Sequence, residues 1–138
     1  MSVIRPRPPA GESRPRRILV VEDVDLNQEF ARLVLERAGH QVDVAFDGGE
    51  ALEAVHGAAY DLILMDVQMP GMDGITATQR LRGMAGPLAA IPIIAMTATV
   101  VPEEIARFKF AGMNDHVAKP LQVGELLAAV ERWTTRSR

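Results

Sequence analysis

Leu62-Ile63-Leu64-Met65-Asp66-Val67-Gln68-Met69-Pro70-Gly71-Met72-Asp73-Gly74 decides the fold of this chain. Its opening apolar run is short and uninterrupted, so it reads as a strand buried on both faces, as in parallel sheets. The Pro70-Gly71 and Asp73-Gly74 pairs then force a turn. Asp66 therefore stands at the carboxyl end of a central strand, where open α/β sheets bind their ligands. Chemistry is expected there.

On either side of this stretch, strand and helix signals alternate. Ile18-Leu19-Val20-Val21 is an apolar strand ending in Glu22-Asp23. From Asp25 to Ala38, Leu26, Phe30, Leu33, Val34 and Ala38 recur at a helical period, and Gly39 closes the helix. Residues 41–45 alternate like a strand, and Asp47-Gly48-Gly49 leads into a helix through Gly57. The strand at 61–65 follows, then a helix from Gly74 to Arg82 and a loop from Gly83 to Ala90. Residues 91–96 form a fourth strand, with Pro92 near its start where it costs least. A helix over Val101–Ala111 carries Pro102 in its first turn and Gly112 at its end. Residues 115–118 are a short fifth strand, and Gln122–Thr134 a last amphipathic helix. Five βα units in series predict a single domain with a parallel sheet covered by helices on both faces.

Composition narrows the functions open to such a domain. At 138 residues the chain can bury a core without metal or disulfide staples. With no cysteine, disulfides, thiolate metal sites and a cysteine nucleophile are excluded. No apolar stretch is long enough for a membrane span, and the amino end has no secretory signal, so the cytoplasm is the expected location. Residues 1–17 carry five arginines and one acid, a net +4, which leaves −7 for residues 18–138 out of the total of −3. An acidic body argues against a nucleic-acid footprint. The expected layout is a disordered Pro/Arg-rich leader over 1–16, a domain over 17–135 and a tail over 136–138. The Met1 start and the leader favour a stand-alone protein over a fragment of a longer one.

In a parallel sheet all strand ends gather at one edge, which brings Glu22, Asp23, Asp66, Thr97 and Lys119 together. Three clustered carboxylates raise one another's pKa unless a cation intervenes. An all-oxygen set of this kind suits Mg²⁺, with Mn²⁺ as a substitute. A hydroxyl and an ammonium beside them are the donors a phosphoryl group needs. Together they suggest a carboxylate nucleophile that accepts a phosphoryl group, with Mg²⁺ and Lys119 neutralising the charge.

These four segments, Ile-Leu-Val-Val-Glu22-Asp23, the stretch from Asp61 to Gly74, Ile-Pro-Ile-Ile-Ala-Met-Thr97-Ala and Val-Ala-Lys119-Pro120, resemble the response-regulator receiver domain of two-component phosphorelays. The resemblance covers residues 17–134 and is greatest to single-domain receivers and those of hybrid histidine kinases. It implies a flavodoxin-like (βα)5 fold with strand order 2-1-3-4-5. It also implies Asp66 as phosphoacceptor, with Mg²⁺ held by Asp23, Asp66 and the backbone carbonyl of Gln68, and Glu22 acting largely through water. Thr97 would bond the phosphoryl group, Lys119 would pair with it, and the Lys119–Pro120 bond would be cis. The implied donor is a histidine kinase or histidine phosphotransfer protein. Output would pass to another protein through the fourth helix, fifth strand and fifth helix, since no DNA-binding or catalytic module follows. Gln68 and Thr99 flank the expected path of attacking water.

Several plainer readings stand beside these. Asp23-Val-Asp25-Leu-Asn27 resembles the opening of an EF-hand loop, but Gln28 and Val34 occupy its required Gly and Glu positions. Asp25 is instead expected to cap the helix. His40 and His56 are expected at the surface, and Met65, Met69, Met72 and Met96 to pack around the sheet edge. His116 stands where the family often has Tyr or Phe, and two readings remain open: a switch residue, or a solvent-facing histidine without a signalling role. Phe108 and Phe110 cannot both face the core. The rival functions are a pseudo-receiver that binds proteins without being phosphorylated, and an Asp-nucleophile phosphatase. The phosphatase would need an acid where this chain has Gln68.

Overall fold

The computed structural model describes residues 15–69 and 71–135. The leader as far as residue 14, Pro70 and the tail at 136–138 lie outside them. Strands β1 (Arg17–Val21), β2 (Gln41–Ala45), β3 (Leu62–Asp66), β4 (Ile93–Thr97) and β5 (Asp115–Ala118) form one parallel sheet in the order β2-β1-β3-β4-β5. Between and after them run α1 (Asp25–Arg37), α2 (Gly48–Gly57), α3 (Gly74–Arg82), α4 (Pro102–Ala111) and α5 (Val123–Thr135), with a 3₁₀ turn at Gly86–Ala90 inside the expected loop. This is the flavodoxin-like arrangement expected.

Alternation along the central strands divides the core in two. Ile18, Val20, Leu62, Leu64, Ile94 and Met96 point to one face, where Leu35 of α1 and Leu126 and Val130 of α5 cover them. Leu19, Val21, Ile63, Met65, Ile93 and Ala95 point to the other, under Ala51 and Val55 of α2, Leu81 of α3 and Phe108 of α4. Strands buried on both faces need no polar alternation, which is why β3 and β4 read as continuous apolar runs.

Helix α1 departs from expectation. Its buried residues are Gln28, Ala31, Val34 and Leu35, whereas Leu26, Phe30 and Leu33 are exposed. The Gln28 side chain donates to the Glu22 carbonyl at 2.5 Å, which sets the rotation of the helix and turns the larger apolar stripe outward. Asp25 is the first helical residue and no side chain caps the amino end. As an acid in the first turn it still complements the helix dipole. Asp47 and Asp73 do cap α2 and α3, accepting from Glu50 N and Thr76 N, each at 2.8 Å.

Two buried polar groups also lie where a surface was expected. Arg16, assigned to the leader, packs into the domain: its guanidinium donates to the Thr134 carbonyl and its amide to His40 Nδ1, both at 3.0 Å. His40 is therefore buried, and its burial, then the Arg16 charge, lower its pKa below 6.5 against the opposing pull of Glu131 and Asp61. The unfolded chain accepts the proton first, so stability is lost as pH falls from about 6.5 toward the folded value. Comparing urea midpoints down this range should show a steeper loss for the wild type than for His40→Asn, whose carbonyl can still accept from Arg16. Parallel slopes would remove His40 as the source.

Arg82 ties the far side of the sheet together. Its guanidinium donates to the carbonyls of Gly112 (2.9 Å), Ala89 (3.0 Å) and Ile91 (2.7 Å) and to Asn114 Oδ1 (2.8 Å), joining the end of α3 to the 3₁₀ turn, α4 and β5. Arg82→Ala takes this donor from the three carbonyls and leaves Asn114 Oδ1 with the Ile93 amide alone (2.8 Å), and is expected to cost about 3 kcal/mol in urea unfolding. A loss below about 1 kcal/mol would mean that water replaces the guanidinium.

Candidate functional site

Parallel pairing puts the carboxyl ends of β1, β3, β4 and β5 along one edge, and each of the expected polar residues stands there. Glu22 and Asp23 follow β1, Asp66 ends β3, Thr97 ends β4, and Lys119 follows β5. Glu22, Asp23 and Asp66 each offer a carboxylate oxygen within 4.8 Å of the others. Lys119 Nζ lies 3.0 Å from Glu22 Oε1 and 3.1 Å from Asp66 Oδ1, bridging the two buried acids. Val24 N donates to Glu22 Oε2 at 3.1 Å, and Gln68 N to Asp66 Oδ1 at 3.3 Å. Thr97 Oγ1 accepts from Thr99 N at 3.1 Å. The Lys119–Pro120 peptide is cis.

Burial of Asp66, opposed by the Lys119 bond and reinforced by the Glu22 charge, raises its pKa to about 6. For Lys119, burial works to lower the pKa, but its bonds to Glu22 and Asp66 outweigh this and raise it. The site is thus a lysine-bridged pair of buried carboxylates, with Asp23 as the more exposed third acid. It opens into a cleft of about 270 Å³.

A sequence model of the response regulator receiver domain matches residues 18–131. The chain belongs to this family. Among its relatives, the sensor histidine kinase AruS of Pseudomonas aeruginosa is 41% identical over 124 residues, which cover 89% of this chain and 12% of AruS. The two-component response regulator ORR41 of Oryza sativa subsp. japonica is 43% identical over 119 residues, covering 81% of this chain and 91% of that protein. The receiver domain of sensor histidine kinase PA1611 from Pseudomonas aeruginosa superimposes with a TM-score of 0.80 at 36% identity, over 88% of this chain and 98% of that one. That structure holds a magnesium ion coordinated in its active-site cleft. The chain thus spans only a small part of the sensor kinases it matches.

Within this receiver, sequence reasoning missed two walls of the cleft, Glu104 and Phe108, contributed by α4. Glu104 carried no motif signal, and Phe108 is buried while Phe110 is 94% exposed. Of the four methionines expected at the sheet edge, Met65, Met69 and Met96 are buried and Met72 is partly buried against the core. His116 is half-buried on β5, with its amide donating to Asp115 Oδ1 at 2.8 Å. Its Nδ1 is buried without a hydrogen bond, 3.9 Å from the same oxygen. Asp115 itself is held by Arg132 Nη1 (2.5 Å) and Trp133 Nε1 (2.8 Å) of α5. Among the described residues no helix is long and apolar enough to cross a membrane.

Proposed function

We propose that Asp66 of this receiver accepts a phosphoryl group from the phosphohistidine of a histidine kinase or histidine phosphotransfer protein, and that the phosphorylated domain binds a downstream protein differently. The observation that carries this reading is the Lys119 ammonium set between Glu22 and Asp66 at the floor of an open cleft. Asp66 Oδ1 takes both Lys119 and the Gln68 amide, so Oδ2 is the oxygen that attacks. The oxygen–phosphorus bond forms as the nitrogen–phosphorus bond of the donor imidazole breaks, and that imidazole takes a proton from water. With a pKa of about 6, Asp66 is ionised at neutral pH and competent as a nucleophile.

The donor set also fits a divalent cation, because its three carboxylates are oxygen ligands gathered within 4.8 Å. Glu22, Asp23, Asp66 and the Gln68 carbonyl would hold Mg²⁺, or Mn²⁺ in its place. When bound, the ion supplies charge neutralisation for the phosphoryl oxygens. Lys119 then turns from its carboxylate partners to the phosphoryl group, and the Thr97 hydroxyl donates to it. Exposed Leu26, Phe30 and Leu33, on the helix that begins just after Asp23, offer the donor protein an apolar face beside the cleft. We assign the change in shape to Thr97 and His116, acting by population shift on the face of α4, β5 and α5. The domain has no catalytic output of its own in this reading, and the cytoplasm is its proposed location.

Incubation with acetyl phosphate and Mg²⁺ tests the reading. The expected product is one alkali-labile phosphoryl adduct on the peptide containing Asp66. Absence of an adduct from both acetyl phosphate and a phosphorylated histidine phosphotransfer protein would leave a pseudo-receiver. Rapid turnover of general phosphomonoesters would identify a phosphatase instead. In a binding assay with the downstream protein, a His116→Phe variant that couples phosphorylation to partner binding as strongly as the wild type, at about pH 6 and at about pH 8, removes the switch role of His116.

A further inference from the structure

Helix α4 has a second, outward side that the proposed chemistry does not use. Glu103, Ala106, Arg107 and Phe110 lie on one helical stripe and line a groove of about 380 Å³ whose other wall is Ile75 and Gln79 of α3. Phe110 is 94% exposed, and Val100 and Val101, just before the helix, are 65% and 48% exposed. A ring this bare beside a groove is available to a partner.

The order of residues along this side names the occupant. An apolar residue at 100, an acid at 103, a base at 107 and an apolar residue at 110 are spaced by 3, 4 and 3, symmetrically about residue 105. A two-fold axis crossing α4 at that level turns each position onto its complement. Glu103 then meets Arg107 of a second copy, and Phe110 meets Val100 and Val101 of that copy, with both contacts repeated by symmetry. Ala106, close to the axis, lets the two helices approach closely. Arg107 already pairs with Glu104 of its own chain at 2.7 Å on an exposed surface, so in the pair it would sit between two acids. We propose that this side of α4, with the adjoining groove, is the self-association face of this chain, and that its occupant is a second copy packed antiparallel.

The ten residues of α4 extend for about 15 Å. A contact of that length belongs to the small, weak class of interfaces and dissociates between about 10 µM and about 1 mM. Sedimentation of the full chain across that range, at low salt, is expected to show a monomer–dimer equilibrium. Glu103→Arg and Arg107→Glu should each weaken it tenfold or more, because each homodimer then faces like charges twice. An equimolar mixture of these two variants restores both opposite-charge contacts, so a heterodimer within about threefold of the wild-type affinity is expected. Phe110→Ser, at a site too exposed to disturb folding, should abolish association. A wild-type chain that stays monomeric throughout would overturn the proposal. So would charge variants that associate unchanged, a mixture no stronger than its components, or a Phe110→Ser dimer. If the wild type is monomeric and Phe110→Ser instead loses binding to another protein, the groove belongs to that protein and not to a second copy.

Discussion

Asp66→Asn is expected to end phosphoryl transfer to this chain and to make its metal-free fold more stable. The two effects have one origin. The Asp66 side chain is 5% exposed and adjoins the fully buried Glu22, so ionising it in the folded domain is costly even with Lys119 beside it. Its pKa rises from 3.8 to about 6 for that reason. Between those two values the folded state binds more protons than the unfolded state, so stability falls as pH rises from about 4 to about 6 and stays lowered above that. Asparagine preserves the shape and carries no charge, and Lys119 keeps Glu22 as its partner. A gain on the order of 1–2 kcal/mol at pH 7 is expected for the variant, shrinking toward pH 4. Thermal melts of both proteins in chelator, from about pH 4 to about pH 7.5, measure this difference. Adding Mg²⁺ should raise the melting temperature of the wild type and leave the variant nearly unmoved. If Asp66→Asn is less stable at every pH, the ionised carboxylate contributes favourably through Lys119, and the cost assigned to its burial is wrong.

Gly74→Ala should damage the fold and the site together. A methyl group on Gly74 would stand 2.1 Å from the Asp66 carbonyl oxygen and 3.0 Å from Met65 Cγ. The first neighbour is backbone and cannot swing aside. Either α3 must withdraw from the sheet, breaking the Gly74 N to Val67 O bond of 3.0 Å, or the end of β3 must shift with Asp66 on it. Overpacking of this severity costs about 3 kcal/mol or more. Gly49 provides the comparison: its added methyl would meet only Asp47 Oδ1 at 3.5 Å, an ordinary contact. Gly49→Ala lies in the first turn of α2 and should be neutral or slightly stabilising. Urea unfolding separates the two, and a Gly74→Ala protein within about 1 kcal/mol of wild type would mean that the α3 entrance yields easily.

The sheet and the site were legible in the sequence because both depend on strands. A strand buried on both faces reads the same whichever way its residues point, and parallel topology alone brings Glu22, Asp23, Asp66, Thr97 and Lys119 to one edge. Helices were less legible. In α1 the larger apolar residues, Leu26, Phe30 and Leu33, mimic a core stripe, while the polar Gln28 is buried because its partner is the Glu22 carbonyl. His40 and Arg82 look like surface residues until the fold brings Arg16 to the first from 24 positions away, and Gly112 and Asn114 to the second from 30 and 32 positions away. The walls that Glu104 and Phe108 add to the cleft depend on how α4 is rotated, and its pattern left only one point clear, that Phe108 and Phe110 take opposite sides.

Helix α4 buries only Phe108 and Ala111. Setting such an element into a new position gives up chiefly the Phe108 contact, about 2–3 kcal/mol, together with the partial packing of Ile105 against the same core. Glu104 and Phe108 line the cleft at Asp66, while Glu103, Arg107 and Phe110 line the groove beside α3, so two binding events share one lightly held wall. If the two favour different positions of that wall, the coupling free energy between them is the same in both directions. Whatever factor phosphorylation applies to the affinity of the groove, a molecule in the groove applies to the equilibrium of phosphorylation.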